Sequence, residues 1–273
     1  MSLLYQIGIC TFILTMRIAS LFNGKIKEGI EGRKNGLKEL NNIPEKARVI
    51  WFHCASLGEF DQGLPVMTAL KKTTPNAYIL VSFFSPSGMK HYQKRNHSVD
   101  QAIYLPFDTV SNARTFLQKA TPSIAVFVKY EFWPNLISQC KKDNVKTVSI
   151  STLLRKNQIY FKWYGGFFAR VLRSVDFFFV QNQETKSLLE SIGVGSIEIS
   201  GDTRYDKVLE HRKNNTSRND ILGQFTHEGP ILIAGSSWEE EEKMVKKFLD
   251  SDAKSKVIIA PHNVDANNID RIQ

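Results

Sequence analysis

Glu59 is the residue of this chain whose type and position best suit chemistry. The run Ser56-Leu57-Gly58-Glu59 lies between a predicted strand at 48–54 and a predicted helix at 61–72. A helix dipole stabilises a charged carboxylate near the helix start, and a charged carboxylate can accept a proton. Glu59 is therefore a candidate general base. The alternative is that it only caps the helix, and the local sequence leaves both interpretations open.

Glu131 is a second acidic residue that follows a predicted strand, the apolar run at 124–129. Open α/β sheets bind their ligands at the carboxyl ends of the strands, so Glu131 and Glu59 are expected to border one basic cleft. In that cleft Glu131 would orient the partners of Glu59 or bind the substrate. The alternative is a charge in the first turn of the helix that begins at Pro134.

Predicted strands and helices alternate along the chain, and these elements must position the two acids. Short apolar, β-branched or aromatic runs are separated by amphipathic stretches. This pattern is typical of an α/β fold, in which helices cover both faces of a parallel sheet. The predicted strands lie at 49–54, 78–84, 124–129, 147–151 and 177–180, and the amphipathic stretches at 66–72, 112–119 and 135–142.

The segment 207–229 is polar, lacks periodicity and ends near Gly229-Pro230, as an inter-domain connection does. New predicted strands follow at 231–234 and 256–260. We therefore predict a first domain at 25–206 and the start of a second domain at 230–273. Gly235-Ser236-Ser237 stands between a strand and a helix, where backbone amides can bind a phosphate.

Residues 3–22 are mostly apolar, interrupted by Gln6 and Arg17, and have about the length that crosses a bilayer as a helix. Basic residues follow from Lys25 onward, so the positive-inside rule places the main body in the cytoplasm. The alternative is a helix that lies on the membrane with Arg17 reaching the headgroups. Under either interpretation, residues 1–24 are predicted to anchor the chain to a membrane.

The amino-acid composition limits the classes of molecule that the chain is expected to bind. Lysine and arginine total 36 against 27 acids, a net charge of +9. This balance suits an anionic membrane surface, anionic substrates or nucleic acid. The basic residues are dispersed, and neither a zinc-finger spacing nor an RNA-binding signature occurs, so no nucleic acid is expected. The three cysteines are far apart, which argues against a disulfide framework or a zinc site.

Several short motifs together resemble, in order and spacing, those of the 3-deoxy-D-manno-octulosonic acid (Kdo) transferases. The resemblance covers nearly the whole chain and rests on the following residues: Ser56-Leu57-Gly58-Glu59, Leu105-Pro106-Phe107-Asp108, Glu131-Phe132-Trp133-Pro134-Asn135, Gly201-Asp202-Thr203-Arg204, Gly235-Ser236-Ser237 and Pro261-His262. It implies a GT-B fold of two facing Rossmann-like domains, of which the second is incomplete here, and a short N-terminal anchor.

The resemblance also implies a reaction and its residues. Kdo would pass from CMP-Kdo to a lipid A precursor at the cytoplasmic face of the inner membrane, in lipopolysaccharide biosynthesis. The reaction would need no metal and no cofactor besides the donor substrate. Glu59 would be the catalytic base, and two further groups of residues would bind the substrates. Ser56, Gly58, Lys129, Glu131 and Arg204 are assigned to the acceptor or substrate, and Ser236, Ser237, Pro261 and His262 to the donor.

Some positions depart from the family pattern. Lys129 replaces the first acid of the E-x-E-x-W-P-N motif, Ser151-Thr152-Leu153 stands where N-A-R is common, and Pro261-His262 lacks an intervening arginine. The sequence ends inside a predicted helix, so the chain is expected to be a C-terminally shortened and inactive form. Two alternatives remain: a GT-B transferase that uses another nucleotide sugar, and a non-catalytic protein that binds lipid A.

Overall fold

The computed structural model describes residues 3–95, 97–214, 230–252 and 254–272. Two compact units divide the chain, Met1–His211 and Arg212–Gln273. Most of the predicted connection at 207–229 lies outside the described residues, and a helix, Arg204–Asn214, covers its first part.

The first unit is built on a seven-stranded parallel sheet with the strand order β3-β2-β1-β4-β5-β6-β7. The chain builds outward from β1 to one edge and then returns to add β4 on the other side. The direction of winding therefore reverses between β1 and β4, which makes this pair the topological switch point. The strands are β1 (Arg48–Cys54), β2 (Ala77–Phe83), β3 (Gln101–Tyr104), β4 (Ile124–Val128), β5 (Lys146–Thr152), β6 (Phe177–Val180) and β7 (Ile197–Ile199).

Helices cover both faces of this sheet. The helices of this part of the chain are α1 (Leu3–Ala19), α2 (Gly24–Glu39), α3 (Leu57–Thr73), α4 (Pro86–His91), α5 (Val110–Ala120), α6 (Pro134–Lys142), α7 (Gly166–Arg173), α8 (Gln183–Ser191) and α9 (Arg204–Asn214). Side chains alternate along β1, so Trp51 packs with Phe116 of α5 on one face, whereas Phe52 belongs to the cluster around α3 on the other. Both side chains are fully buried.

The predicted parallel sheet is confirmed. The predicted strands at 49–54, 124–129 and 147–151 each agree with β1, β4 and β5 to within one residue at either end. The prediction omits β3 and β7, which have four and three residues and are too short to show periodicity. The predicted helix start at 61 is wrong, because α3 begins at Leu57.

In the second unit, the described residues 230–252 and 254–272 form a two-stranded parallel sheet and two helices. Its elements are β8 (Ile231–Ser237), α10 (Glu239–Ser251), β9 (Lys256–Pro261) and α11 (Ala266–Ile272). This strand–helix–strand order is the one predicted for the start of a second Rossmann-like domain.

Helix α1 packs on the first unit through one side. Ile9 is buried, and Phe12 stacks on Phe84 with 6.3 Å between the ring centroids. Within the part of the chain that the structure describes, no helix combines the length and apolarity that crossing a membrane requires. The spanning alternative for residues 3–22 finds no support there.

Candidate active site

Glu59 takes part in the cap of α3. Ser56 Oγ accepts a hydrogen bond from the Glu59 amide at 3.4 Å, and the Ser56 amide donates to Glu59 Oε2 at 3.1 Å. This reciprocal capping box satisfies two amides at the helix start. The capping role is therefore observed, and it fixes the carboxyl group just beyond β1. Gly58 lies in the same turn, where a Cβ would come no nearer than 3.9 Å to Ser56 Oγ.

The environment of Glu59 changes its acidity. The residue is buried, with 5 % of its surface exposed. Burial and, second, the charge of Glu131 raise the pKa of Glu59 to about 7, against the opposing effects of backbone hydrogen bonds and Lys129. Burial also raises the pKa of Glu131. A carboxyl group that titrates near neutral pH can both take up and release a proton, which suits a general base.

Glu131 reaches this position through a sharp turn after β4. Lys129 adopts a φ of 73°, in the left-handed region, and its amide donates to Ile150 O at 2.9 Å. Its Nζ lies 5.0 Å from the centroid of the Tyr130 ring. Since β1 and β4 are neighbouring strands, the structure places Glu59 and Glu131 at the carboxyl ends of the switch-point pair, where open α/β sheets bind ligands.

Arg204 lies in a segment that is hydrogen-bonded to Gln62 of α3, one helical turn after Glu59. Gln62 Nε2 donates to Asp202 Oδ1 at 3.1 Å, and Thr203 Oγ1 donates to Gln62 O at 2.6 Å. Arg204 Nε donates to Asp202 Oδ2 at 2.9 Å. Partial burial alone would raise the pKa of Asp202, but the hydrogen bonds from Arg204 and Gln62 lower it to about 2. The Arg204 side chain remains 63 % exposed and accessible to an anion.

The four residues assigned to the donor meet in the second unit. Ser236 has a φ of 57°, and its Oγ lies 2.9 Å from His262 Nδ1. The His262 amide donates to Ser237 O at 2.9 Å, and Ser237 is paired with Pro261 across the sheet. The Trp238 ring stacks on His262 with 4.3 Å between centroids. These side chains form one polar and aromatic cluster at the carboxyl ends of β8 and β9.

The acidic run at 239–242 is only partly exposed to solvent. Glu242 is buried, accepts a hydrogen bond from Ser237 Oγ at 3.1 Å and pairs with Arg271 of α11. Its three preceding neighbours are exposed. A single buried glutamate within a charged run leaves no signal in the sequence, because its partner lies 29 positions away.

Asp108 is a structural residue for which sequence reasoning gives no role. It is 1 % exposed and accepts hydrogen bonds from the amides of Asn135 and Leu136 at 2.9 Å, at the start of α6. Tyr5 of α1 donates to it at 2.7 Å. Gln6 Nε2 donates to Asn135 Oδ1 at 2.8 Å, so two motif residues fasten the N-terminal helix. The motifs that contain Asp108 and Asn135 were the available signal.

Trp133 and His53 form a buried pair beside these motifs. Trp133 Nε1 donates to His53 Nε2 at 3.1 Å, and burial lowers the pKa of His53 to about 3. His53 is therefore neutral and acts as an acceptor at Nε2. Both residues therefore have a structural role.

Comparison with known proteins decides the family. The family model described as 3-deoxy-D-manno-octulosonic-acid transferase (kdotransferase) matches residues 30–207, which is more than half of the chain. The chain belongs to the Kdo transferase family. The matched range contains Glu59, Glu131 and Arg204, whereas the donor cluster of the second unit lies outside it.

The curated relatives are distant and longer than this chain. The Kdo transferase of Aquifex aeolicus is 22% identical over 218 residues, covering 79% of this chain and 55% of the relative. The enzyme of Chlamydophila psittaci is 25% identical over 219 residues, covering 78% and 50%. A bifunctional glycosyltransferase/methyltransferase of Fusobacterium nucleatum is 23% identical over 223 residues, covering 79% and 34%. The chain thus spans about a third to a half of the length of these relatives.

Solved structures with the same fold support the fold class. The UDP-GlcNAc 2-epimerase of Neisseria meningitidis has a TM-score of 0.59 at 14% identity, covering 82% of this chain and 68% of that chain. A putative UDP-N-acetylglucosamine 2-epimerase of Listeria monocytogenes has a TM-score of 0.57 at 11% identity, covering 82% and 65%. Such low identity shows the fold alone. The predicted α/β fold of the GT-B type is confirmed.

Proposed function

We propose that the chain is the acceptor-binding part, with the start of the donor-binding part, of an inverting transferase that moves Kdo from CMP-Kdo to a lipid A precursor. Family membership supports the Kdo transferase class. The observation that carries the mechanism is the pair of carboxyl groups at the switch point of the parallel sheet, the buried Glu59 and the half-buried Glu131.

Glu59 accepts the proton of the acceptor hydroxyl group in the proposed reaction. The hydroxyl oxygen forms a bond to the anomeric carbon of Kdo while the bond from that carbon to the phosphate oxygen of CMP breaks. The electron pair leaves with CMP, whose phosphate is stable enough to depart without a strong acid. Glu131 supports the base, because its negative charge raises the proton affinity of Glu59.

The basic residues around this pair suit anionic substrates. Arg204 keeps an exposed guanidinium group beside α3, and Lys129 lies between the two acids in sequence and acts on the pKa of Glu59. Either cation would hold a carboxylate or phosphate group of a substrate. In the second unit, the cluster of Ser236 and His262 would contact the donor phosphate. The proposed site of action is the cytoplasmic face of the inner membrane, where residues 1–24 hold the protein at the lipid surface.

A donor-competition assay tests this function. The chain itself, and a fusion that continues it with the remaining C-terminal part of the Aquifex aeolicus relative, are mixed with a lipid A precursor and either CMP-Kdo or UDP-GlcNAc. We expect release of CMP and a product heavier by one or more Kdo units with the fusion. Consumption of UDP-GlcNAc with CMP-Kdo left intact would replace the proposal by a different GT-B transferase.

A binding measurement separates the enzyme from a lipid-binding protein without turnover. We expect the chain to bind a detergent-dispersed lipid A precursor, and Arg204→Ala to weaken that binding by about tenfold if the guanidinium contacts a phosphate. Gln183→Ala on α8 is the control, since this exposed side chain hydrogen-bonds to Ser187 of its own helix. Equal binding by all three proteins would exclude Arg204 from the acceptor site.

A further inference from the structure

The loop 159–165 presents two aromatic side chains to solvent. Trp163 is 94 % exposed and Tyr164 is 61 % exposed. Tryptophan is normally among the well-buried residues of a folded protein, so an almost fully exposed one calls for a physical reason. Lys162 precedes the pair directly.

The backbone of this loop is built as a tight turn. The Gly165 amide donates to Lys162 O at 2.8 Å, and the Lys162 amide donates to Ile159 O at 3.2 Å. A Cβ at position 165 would lie 1.7 Å from Ile159 O, so only glycine fits there. The exposed aromatic pair therefore sits on a turn of defined shape rather than on an extended strand of chain.

This turn adjoins the N-terminal helix. The Tyr5 ring of α1 lies 5.7 Å from Phe167 and 6.2 Å from Phe168 of α7, measured between centroids. An apolar groove of about 490 Å³ runs between the two segments, with Leu4 and Phe12 on one side and Tyr164 and Trp133 on the other.

The apolar side chains exposed by both segments are here called the docking face. They are Leu3, Leu4, Ile7, Leu14, Ile18, Leu21, Phe22, Trp163 and Tyr164. Each is among the exposed large hydrophobic residues of the first unit. Together they form an apolar surface that two distant parts of the sequence supply.

The stretches of sequence that contain these two segments are basic and carry no acid. Residues 3–27 contain three basic residues and residues 154–170 contain four, and neither range contains an acid. Taking these seven from the 36 basic residues leaves 29 for the rest of the chain, against its 27 acids. The two stretches that supply the docking face thus carry a local net charge of +7. The seven are Arg17, Lys25, Lys27, Arg155, Lys156, Lys162 and Arg170.

We propose that the docking face binds an anionic lipid bilayer, with Trp163 and Tyr164 inserted at the level of the headgroups as a second contact beside α1. Tryptophan and tyrosine concentrate at membrane–water interfaces, and basic residues attract anionic lipids. A second copy of the chain fits this face poorly, because pairing would bring the basic stretches of both copies toward each other. The inference deepens the membrane part of the proposed function and is independent of the transfer reaction.

Fluorescence quenching locates the aromatic turn directly. The chain is mixed with vesicles of phosphatidylglycerol and phosphatidylethanolamine that contain lipids brominated on the acyl chain near the headgroup. We expect quenching of tryptophan fluorescence that Trp163→Phe largely removes. Trp238→Phe is the matched control, because Trp238 is also exposed but lies in the second unit, and it should leave the quenching unchanged. Quenching that persists in Trp163→Phe would overturn the insertion of this turn.

Vesicle partitioning measures how much Trp163 and Tyr164 contribute to membrane binding. We expect Trp163→Ser with Tyr164→Ser to weaken partitioning by about tenfold to a hundredfold, since binding scales with the apolar area inserted. Neutral vesicles or high salt should weaken the wild type as well. Unaltered partitioning of the double variant, with loss only when α1 is deleted, would refute the second contact and keep a membrane location. Sedimentation that shows a dimer dependent on Trp163 in the absence of lipid would assign the face to a second copy instead.

Discussion

Glu59 caps α3 through Oε2, which accepts a hydrogen bond from the Ser56 amide. Burial and the charge of Glu131 raise the pKa of the same carboxyl group. Glu59→Gln separates these roles, because the amide oxygen can still accept the bond from the Ser56 amide but cannot accept a proton. All turnover measurements use the fusion with the C-terminal part of the Aquifex aeolicus relative, in which we expect the Glu59→Gln rate to fall by roughly 10²–10⁴-fold with little change in stability. Ser56→Ala is the comparison: it removes one cap bond, costs about 0.5–2 kcal/mol of stability and leaves the carboxylate in place. Steady-state CMP release and urea denaturation distinguish the two variants, and unchanged turnover in Glu59→Gln would reduce Glu59 to a helix cap.

The raised pKa of Glu59 predicts a pH profile with a definite direction. A base works only when deprotonated, so kcat/KM should fall as the pH drops below about 7. Glu131→Gln removes the nearby negative charge, and the acidic limb of the profile should therefore move to lower pH. The measurement is kcat/KM across the range from about pH 5 to about pH 9 in both proteins. A limb that stays in place would show that burial alone sets the proton affinity.

At the scale of elements, α1 is held to the sheet by polar contacts as well as by apolar packing. Tyr5→Phe keeps the ring but removes its hydrogen bond to the buried Asp108, while the amides of Asn135 and Leu136 still satisfy that carboxylate. We expect a loss of about 1–3 kcal/mol, the typical worth of a hydrogen bond to a charged group. Amide exchange in α1 should accelerate in parallel. Thr15→Ala in the same helix is the control, since the exposed Thr15 hydroxyl group donates its hydrogen bond to Thr11 O within α1.

The same elements show how much of the fold and of the candidate site could be predicted from the sequence. Strands buried on both faces, such as β1 and β4, are continuous apolar runs, so their positions and the parallel sheet were predictable. Glu59 and Glu131 follow two such strands, so their common edge was predictable as well. The role of Asp108 was not, because its partners lie 103 and 27 positions away and only tertiary structure brings them together. The left-handed backbone of Lys129 and Ser151 was also hidden, since such positions usually carry glycine or asparagine.

At the scale of the whole molecule, the buried acids link folding stability to pH. Burial first, and the charge of Glu131 second, raise the pKa of Glu59 to about 7, and burial raises the pKa of Asp108 to about 6. The folded state therefore binds protons more tightly than the unfolded chain from about pH 4 upward, so these groups lower the stability as the pH rises through this window. Asp202 works in the opposite direction: its pKa is lowered to about 2, and its contribution is present above about pH 4 and lost as the pH falls.

Differences between variants isolate these effects from the general charge repulsion of a basic chain. We expect the free energy of unfolding of wild type, relative to Glu59→Gln, to decrease as the pH rises from about 4 to about 7, because only the wild type must ionise a buried carboxyl group. Relative to Asp202→Asn, the wild type should instead gain stability as the pH rises from about 2 to about 4. Urea denaturation at a series of pH values measures both differences. If the difference in the free energy of unfolding between wild type and Glu59→Gln does not vary with pH, Glu59 has the same pKa in the folded and unfolded states. That result would contradict the raised pKa on which the role of Glu59 as a base depends.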